Sequence, residues 1–248
     1  MVDALSSLGF DAVALPLIAV IGPPEPQALI QVWNRLSEFD AVMFVSGNAV
    51  EYFFAARPDA KLFFTGRSPK ALRAFVTGPG SQSALRKAGV AAQWVDAPHA
   101  QEDQFDSEAL WKVVQAQVKP GFRLLIVRGA ESDDPAQGAG RDWLASRVIE
   151  AGGEVAYVVA YQRQLPDWTA ERGVLAAQAA SDGSIWLFSS SQAIRNLSAL
   201  CPDQAWSEAR AVVTHARIAQ TALALGFVDV LESRPSIPAL VASIESLQ

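Results

Sequence analysis

The stretch FDAVMFVSGNAVEYFF (residues 39–54) has an echo in GSIWLFSSSQAIRNLSAL (183–200), and this repetition constrains the fold more than any other feature. Both read as a polar lead-in, a short apolar strand, a Ser at the strand's C-terminal end, and a helix. Ser46 falls opposite Ser190, an offset of 144. RAFVTGPGSQSALRKAGV (73–90) parallels RAVVTHARIAQTALALGF (210–227), with Gly89 opposite Gly226 at an offset of 137. LGFDAVALPL (8–17) parallels GGEVAYVVAY (152–161), with Gly9 opposite Gly153, again at an offset of 144. Three matched segments in one order, at nearly constant spacing, mark a duplication. A period of about 140 residues is too long for a solenoid and suits one α/β domain.

Along the chain, apolar strands alternate with amphipathic helices, the pattern of parallel sheets covered on both faces. Strands are expected at 13–20, 41–46, 74–78, 91–95, 123–129, 155–163, 184–189, 211–215 and 228–233. Helices are expected at 28–39, at 49–56, after the tight turn that opens GPGSQSALRKAG (closed by Gly89), and then at 107–118, 141–153, 171–180, 191–200, 216–226 and 237–248, with Asp106 or Ser107 capping the fourth. KLFFTGRSPKALR (61–73) fits a helix or a short strand equally well. Linkers at 21–26 and 161–167 divide the chain into a middle domain, 27–160, and a second domain assembled from both termini, 1–20 plus 168–248. Residues 1–9 read as the C-terminal part of a helix closed by Gly9. The duplication sets them opposite the middle of the 141–153 helix, so an N-terminal strand is expected to be missing from the terminal domain.

The formal net charge is −6 and Lys and Arg are not clustered, which excludes nucleic acid as the main partner. No run of about 18 apolar residues is available to span a membrane. Cys201 is the single cysteine, so no intrachain disulfide can form and a reducing, cytoplasmic setting is expected. Two histidines, His99 and His215, without a Cys/His cluster do not make a zinc site.

In an open parallel sheet, ligands bind beyond the C-terminal ends of the strands. The residues placed there are Ser46, Gly47 and Asn48; Gly78, Pro79, Gly80 and Ser81; Arg128 and Gly129; Ser189, Ser190 and Ser191; and His215, Ala216 and Arg217. Most are small or hydroxylated and open a helix, where free N–H groups and partial positive charge suit a carboxylate or phosphate. As ordinary caps and turns they would need no ligand, but their recurrence in both halves favours a binding role. GPGSQS lacks the Lys-Ser/Thr pair of a phosphate loop. Ser46 and Ser190 lack G-x-S-x-G and a triad. Asp133 and Asp134 resemble a metal pair, yet acidic residues in a long loop are usually only solvated. His215 fits a proton carrier or a turn cap. Tyr161 ends a strand at a linker, where a protonated phenol could donate a hydrogen bond or simply pack.

DAVMFVSGNAV (40–50), VTGPGSQSALRKAGV (76–90), the run from Arg128–Gly129 through GRDWLASRVIEAGGEV to AYQR (160–163), LFSSSQAI (187–194) and VTHARIAQTALALGF (213–227) together resemble the uroporphyrinogen-III synthase family. The resemblance covers nearly the whole chain in order. It implies two flavodoxin-like, pseudo-duplicated α/β domains joined by a two-stranded linker, with the active site in the cleft between them. It also implies a monomeric lyase without cofactor or metal that takes hydroxymethylbilane, removes its terminal hydroxyl as water and closes the ring with pyrrole D inverted, by way of a proposed spiro intermediate. Tyr161 matches the family tyrosine proposed to assist departure of that hydroxyl. The small and hydroxylated turns match positions where backbone N–H groups take the substrate's carboxylates, with Arg128, Arg141 and Arg217 as supplementary cations. Ser81 stands where many members have Thr. The family's opening strand, which ends in a Thr-Arg-Pro turn, has no match here.

Two other readings compete. One is a non-catalytic two-domain protein closing on a small anion. The other is a degenerate copy of the synthase.

Overall fold

The computed structural model describes residues 1–56, 64, 72–98, 106–130 and 139–247, with side chains at 139–142 left aside. The chain divides into two compact units, Val20–Arg163 and Met1–Ala19 together with Gln164–Gln248.

In the unit Val20–Arg163, β1 (Ala19–Ile21) leads to α2 (Pro26–Asn34), following α1 (Val2–Ser6) of the other unit. Then come β2 (Ala41–Phe44), α3 (Gly47–Ala56), β3 (Arg73–Val76), α4 (Pro79–Lys87), β4 (Val95–Asp96), α5 (Ser107–Val114), β5 (Arg123–Gly129), α6 (Ala139–Glu150) and β6 (Glu154–Gln164). The sheet order is β1-β6-β5-β2-β3-β4. β2 pairs in parallel with β3 and β5, and β5 with β6, so their C-terminal ends lie on one edge. Side chains alternate across a strand. Val42 and Phe44 of β2, with Leu125 and Val127 of β5, therefore face a core rich in Phe53, Phe54, Phe64 and Trp33. Ala41, Met43, Leu124 and Ile126 face a second core under α5 and α6. Both faces are covered, which explains the unbroken apolar strands.

The other unit repeats the arrangement in shorter form: α7 (Ala170–Ala179), β7 (Ile185–Phe188), α8 (Ser191–Leu200), β8 (Arg210–Val213), α9 (Ala216–Leu225), β9 (Asp229–Glu232) and α10 (Ile237–Glu245). Its sheet is β7-β8-β9, all parallel. Trp186, Phe188, Trp206 and Phe227 form an aromatic core on one face. Leu5 of α1 and Leu240 and Ile244 of α10 close the other.

Three sequence expectations are corrected. The strand expected at 13–20 is reduced to Ala19–Ile21, because Pro16 has no N–H to give to a ladder. The strand at 91–95 becomes a 3-10 turn, Ala92–Trp94, followed by the two residues of β4. Gly9 is matched by Gly152 rather than Gly153. Gly9 and Gly152 have φ of 91° and 83°, and each following residue donates its N–H to a carbonyl five positions back, Phe10 to Leu5 and Gly153 to Val148. Gly89 and Gly226 close α4 and α9 in the same way, at φ of 88° and 112°. The 61–73 ambiguity lies almost wholly outside the described residues, as do His99, Asp133 and Asp134.

Candidate active site

Ser46 follows β2 and stands at the start of α3, where its Oγ accepts the Ala49 N–H at 3.1 Å. This is the bond an N-cap serine makes to an orphaned helix donor. The same Oγ lies 3.0 Å from the Tyr161 hydroxyl, across 115 positions of chain. Tyr161 is brought there by an irregularity in the β5–β6 ladder. Arg128 pairs with Val159, but Gly129 pairs with Tyr161, so one residue of β6 is passed over. Such a bulge re-aims the side chain beside it. The Ala130 N–H donates to the Tyr161 carbonyl at 2.7 Å and holds the irregularity closed.

The Tyr161 ring lies against Gly129. A Cβ at position 129 would sit 2.7 Å from Cζ and 3.1 Å from the hydroxyl oxygen, so only glycine leaves the ring where it is. Tyr161 is 3% exposed. Tyr52 of α3 flanks it at 6.1 Å between centroids, with its own hydroxyl donating to the Val20 carbonyl at 2.6 Å. The Arg163 guanidinium lies 5.9 Å from the Tyr161 ring centre, and Arg128 covers the Tyr157 ring at 4.8 Å. Each is a cation over a ring face, held by the ring's quadrupole.

Beside Ser46, the starts of α3 and α4 come together. A Cβ on Gly47 would lie 3.8 Å from the Gly80 carbonyl oxygen. Gly78 is the N-cap of α4 and has no side chain to occupy its free N–H groups, and Pro79 follows at the first helical position. Ser81 is buried, whereas Gly47, Asn48 and Gly78 are half-buried and Gly80 is exposed. Ser46, Gly47, Asn48, Gly78, Gly80, Ser81, Arg128, Gly129 and Tyr161 thus all belong to this unit and to one edge of its sheet.

Ser189, Ser190, His215 and Arg217 belong to the other unit. Ser190 is the N-cap of α8 but accepts no hydrogen bond from it, and Ser189 is exposed. His215 is the N-cap of α9, and its Nδ1 accepts the Arg217 N–H at 3.1 Å. That bond uses the ring nitrogen as an acceptor toward the helix, the capping alternative for this histidine. The Arg217 side chain is exposed. Arg141 falls among the side chains left aside. No group of three or more His, Cys, Asp or Glu side chains among the described residues could hold a metal ion. No helix among them is long and apolar enough to cross a membrane.

Sequence reasoning named Ser46, Gly129 and Tyr161 separately but not their contact. The roles of Tyr52 and Arg163 around the phenol went unseen. A bulge leaves no mark in composition or periodicity. The usable signal was the aliphatic residue that the other copy sets opposite Tyr161, Ile18 in the Gly9–Gly152 register.

Comparison with known proteins gives one consistent family. A family model described as Uroporphyrinogen-III synthase HemD matches residues 1–242. Among solved structures, a uroporphyrinogen-III synthetase from Helicobacter pylori superposes with a TM-score of 0.58 at 16% identity, covering 94% of this chain and 91% of that one. A mutant uroporphyrinogen III synthase from Thermus thermophilus superposes at 0.52, again at 16% identity, covering 99% and 92%. Comparison with curated protein sequences gives no match. The solved structures establish a shared two-domain α/β fold.

Proposed function

The chain belongs to the uroporphyrinogen-III synthase family, and from that premise we propose which residues carry the reaction. The activity is that of a hydro-lyase in haem and tetrapyrrole biosynthesis, acting on the small molecule hydroxymethylbilane. Membership across residues 1–242 does not favour the alternative of a non-catalytic anion-binding protein.

Tyr161 is proposed as the proton donor to the departing hydroxyl. The proton passes from the phenol to the leaving oxygen, the C–O bond breaks, and its electron pair leaves with water. General acid assistance of this kind contributes about 10²- to 10⁴-fold. The larger task is conformational, since the open chain must be held so that the substituted carbon of ring D attacks. The backbone N–H groups around Ser46, Gly47, Asn48, Gly78, Gly80, Ser81 and Gly129 are proposed to take substrate carboxylates, with Arg128 as a supplementary cation. Ser189, Ser190, His215 and Arg217 are proposed to do the same from the other unit, and Arg141 to add charge. Helix starts and clustered N–H groups suit this ligand chemistry. Further proposals are that the domains run 1–20 plus 168–248 and 27–160, and that the enzyme works as a cytoplasmic monomer. The single cysteine, Cys201, a free thiol, supports a reducing compartment.

The observation that carries the Tyr161 reading is its placement: a shielded phenol at the C-terminal edge of a parallel sheet, beside two helix starts, one of them without a side-chain cap, and under a guanidinium. Tyr161→Phe is expected to lower kcat by about 10²-fold or more with KM little changed. Steady-state assay with hydroxymethylbilane generated in situ tests this, and a wild-type kcat in the variant overturns the assignment.

A further inference from the structure

Tyr161 is bounded by two groups, Ser46 at its hydroxyl and Gly129 against its ring. The Ala49 N–H of α3 donates to Ser46 Oγ at 3.1 Å, and Ser46 Oγ stands 3.0 Å from the Tyr161 oxygen. A hydroxyl has one proton to give and two lone pairs to receive with. The helix N–H occupies one lone pair, and the positive end of α3 sits behind it, which disfavours a second incoming proton and favours the Ser46 proton pointing outward. The Gly129 backbone bounds the ring from the other side, with Cζ within 2.7 Å of where a Cβ would stand. The phenol cannot retreat across the β5 end and keeps its reach to Ser46.

We propose that the Ser46 side chain and Gly129 are positioning residues for Tyr161: Ser46 donates its hydroxyl proton to the phenol oxygen, Gly129 seats the ring, and the Tyr161 proton is thereby left free for the substrate. The inference rests on the reading of Tyr161 as proton donor and adds to the proposed substrate contacts of the two backbones. The chain of donors runs from Ala49 N–H to Ser46 Oγ–H to the Tyr161 oxygen. Each link strengthens the next in a shielded setting. Nothing is transferred along this chain during the reaction. The only proton that moves is the phenol's own, to the leaving oxygen.

The test is a kinetic cycle on the full chain with Ser46→Ala, Ser46→Thr, Gly129→Ala and Tyr161→Phe, alone and combined, with thermal unfolding recorded for each. Ser46→Ala is expected to lower kcat by about tenfold with KM within about twofold, and Ser46→Thr, which keeps the hydroxyl, to recover most of it. Gly129→Ala displaces the ring and is expected to lower kcat by about 10²-fold. In the Tyr161→Phe background neither change should cost further kcat, because the group they position is gone. A Ser46→Ala enzyme with wild-type kcat overturns the inference. So does a loss carried by KM, or one equally large in the Tyr161→Phe background. Should Gly129→Ala fail to fold, the Ser46 pair of variants decides alone. A Tyr161→Phe enzyme with wild-type kcat overturns the donor reading itself, which distinguishes that failure from the failure of the positioning roles.

Discussion

Phe44 and Phe188 hold equivalent positions in the two copies, each the last residue of the strand that leads through a Ser into a helix. Phe44 lies on a strand with a partner on each side, packed against Phe53 at 5.3 Å and Phe54 at 5.9 Å. Phe188 lies on a strand paired on one side among the described residues, and its neighbours are Trp186 at 5.7 Å and Phe227 at 5.6 Å. Leu110, Leu124, Ile126, Leu144 and Val148 back the far face of β2, whereas Leu5, Leu240 and Ile244 back that of β7 and β8. The chemistry diverges in the same direction. Ser46 meets Tyr161, while the Gly9–Gly152 register sets Ile18 opposite Tyr161, a half-buried aliphatic that can neither give nor take a hydrogen bond. The copy with the fully buried sheet is the one that holds a phenol in place. A proton donor that must stay within hydrogen-bond reach is better seated on a rigid scaffold.

The largest stability effect should come from the cores. Phe44→Ala is expected to cost about 4 kcal/mol and Phe188→Ala about 3, since an edge strand can close more of the cavity left behind. Urea unfolding followed by far-UV circular dichroism measures both, and equal losses would break the contrast between the copies. Next is the arginine that begins the second strand of each copy. Arg73 grips Asp96 with Nε at 2.7 Å and Nη2 at 2.5 Å, and Asp96 is 8% exposed. Among the described residues, its counterpart Arg210 reaches only carbonyl oxygens, those of Leu247 and Gly183. Arg73→Ala strands a buried carboxylate and should cost about 3 kcal/mol. Arg210→Ala leaves carbonyls that water can reach and should cost about 1 kcal/mol. Where the copies are alike, the losses should match: Gly89→Ala and Gly226→Ala each force a side chain into the left-handed region, at about 1 kcal/mol apiece.

The smallest effect is in acid. Arg35, hydrogen-bonded to Glu38, and then Arg123 hold the Glu38 carboxyl down at about 2, and Ser184 lowers that of Asp182, its counterpart before β7. A carboxylate lowered on folding stabilises the native state above its unfolded value, near 4.5 for Glu38, and that contribution fades as pH falls toward 2. Both groups are exposed, so the change is small and shrinks with salt. Glu38→Gln is expected to flatten the decline of the unfolding midpoint between pH 4.5 and 2. An unchanged slope in the variant would refute this.

Much of the fold was legible because period and punctuation agree. Apolar runs of four or five residues leading to a Ser or Gly marked β2, β5 and β7, and Asp106 does cap α5 through the Ala109 N–H at 2.8 Å. The 13–20 segment misled because its composition is strand-like while Pro16 and the lack of a ladder partner decide otherwise. The one-residue error at Gly153 arose because two adjacent glycines read alike, and only φ separates the one that turns the chain from the one packed under Val148. At the site, residue types and strand-end positions were readable. The Ser46–Tyr161 bond was not, since it depends on a skipped residue in a ladder between segments far apart in sequence.

The most direct test of the central claim is the isomer ratio of the product. Hydroxymethylbilane is generated in situ, the protein is added, the products are oxidised, and the uroporphyrin isomers are separated chromatographically. A synthase that inverts ring D gives type III in excess of the enzyme-free control, and Tyr161→Phe pushes the ratio back toward that control. Type I alone, at the rate seen without protein, would contradict the assigned activity.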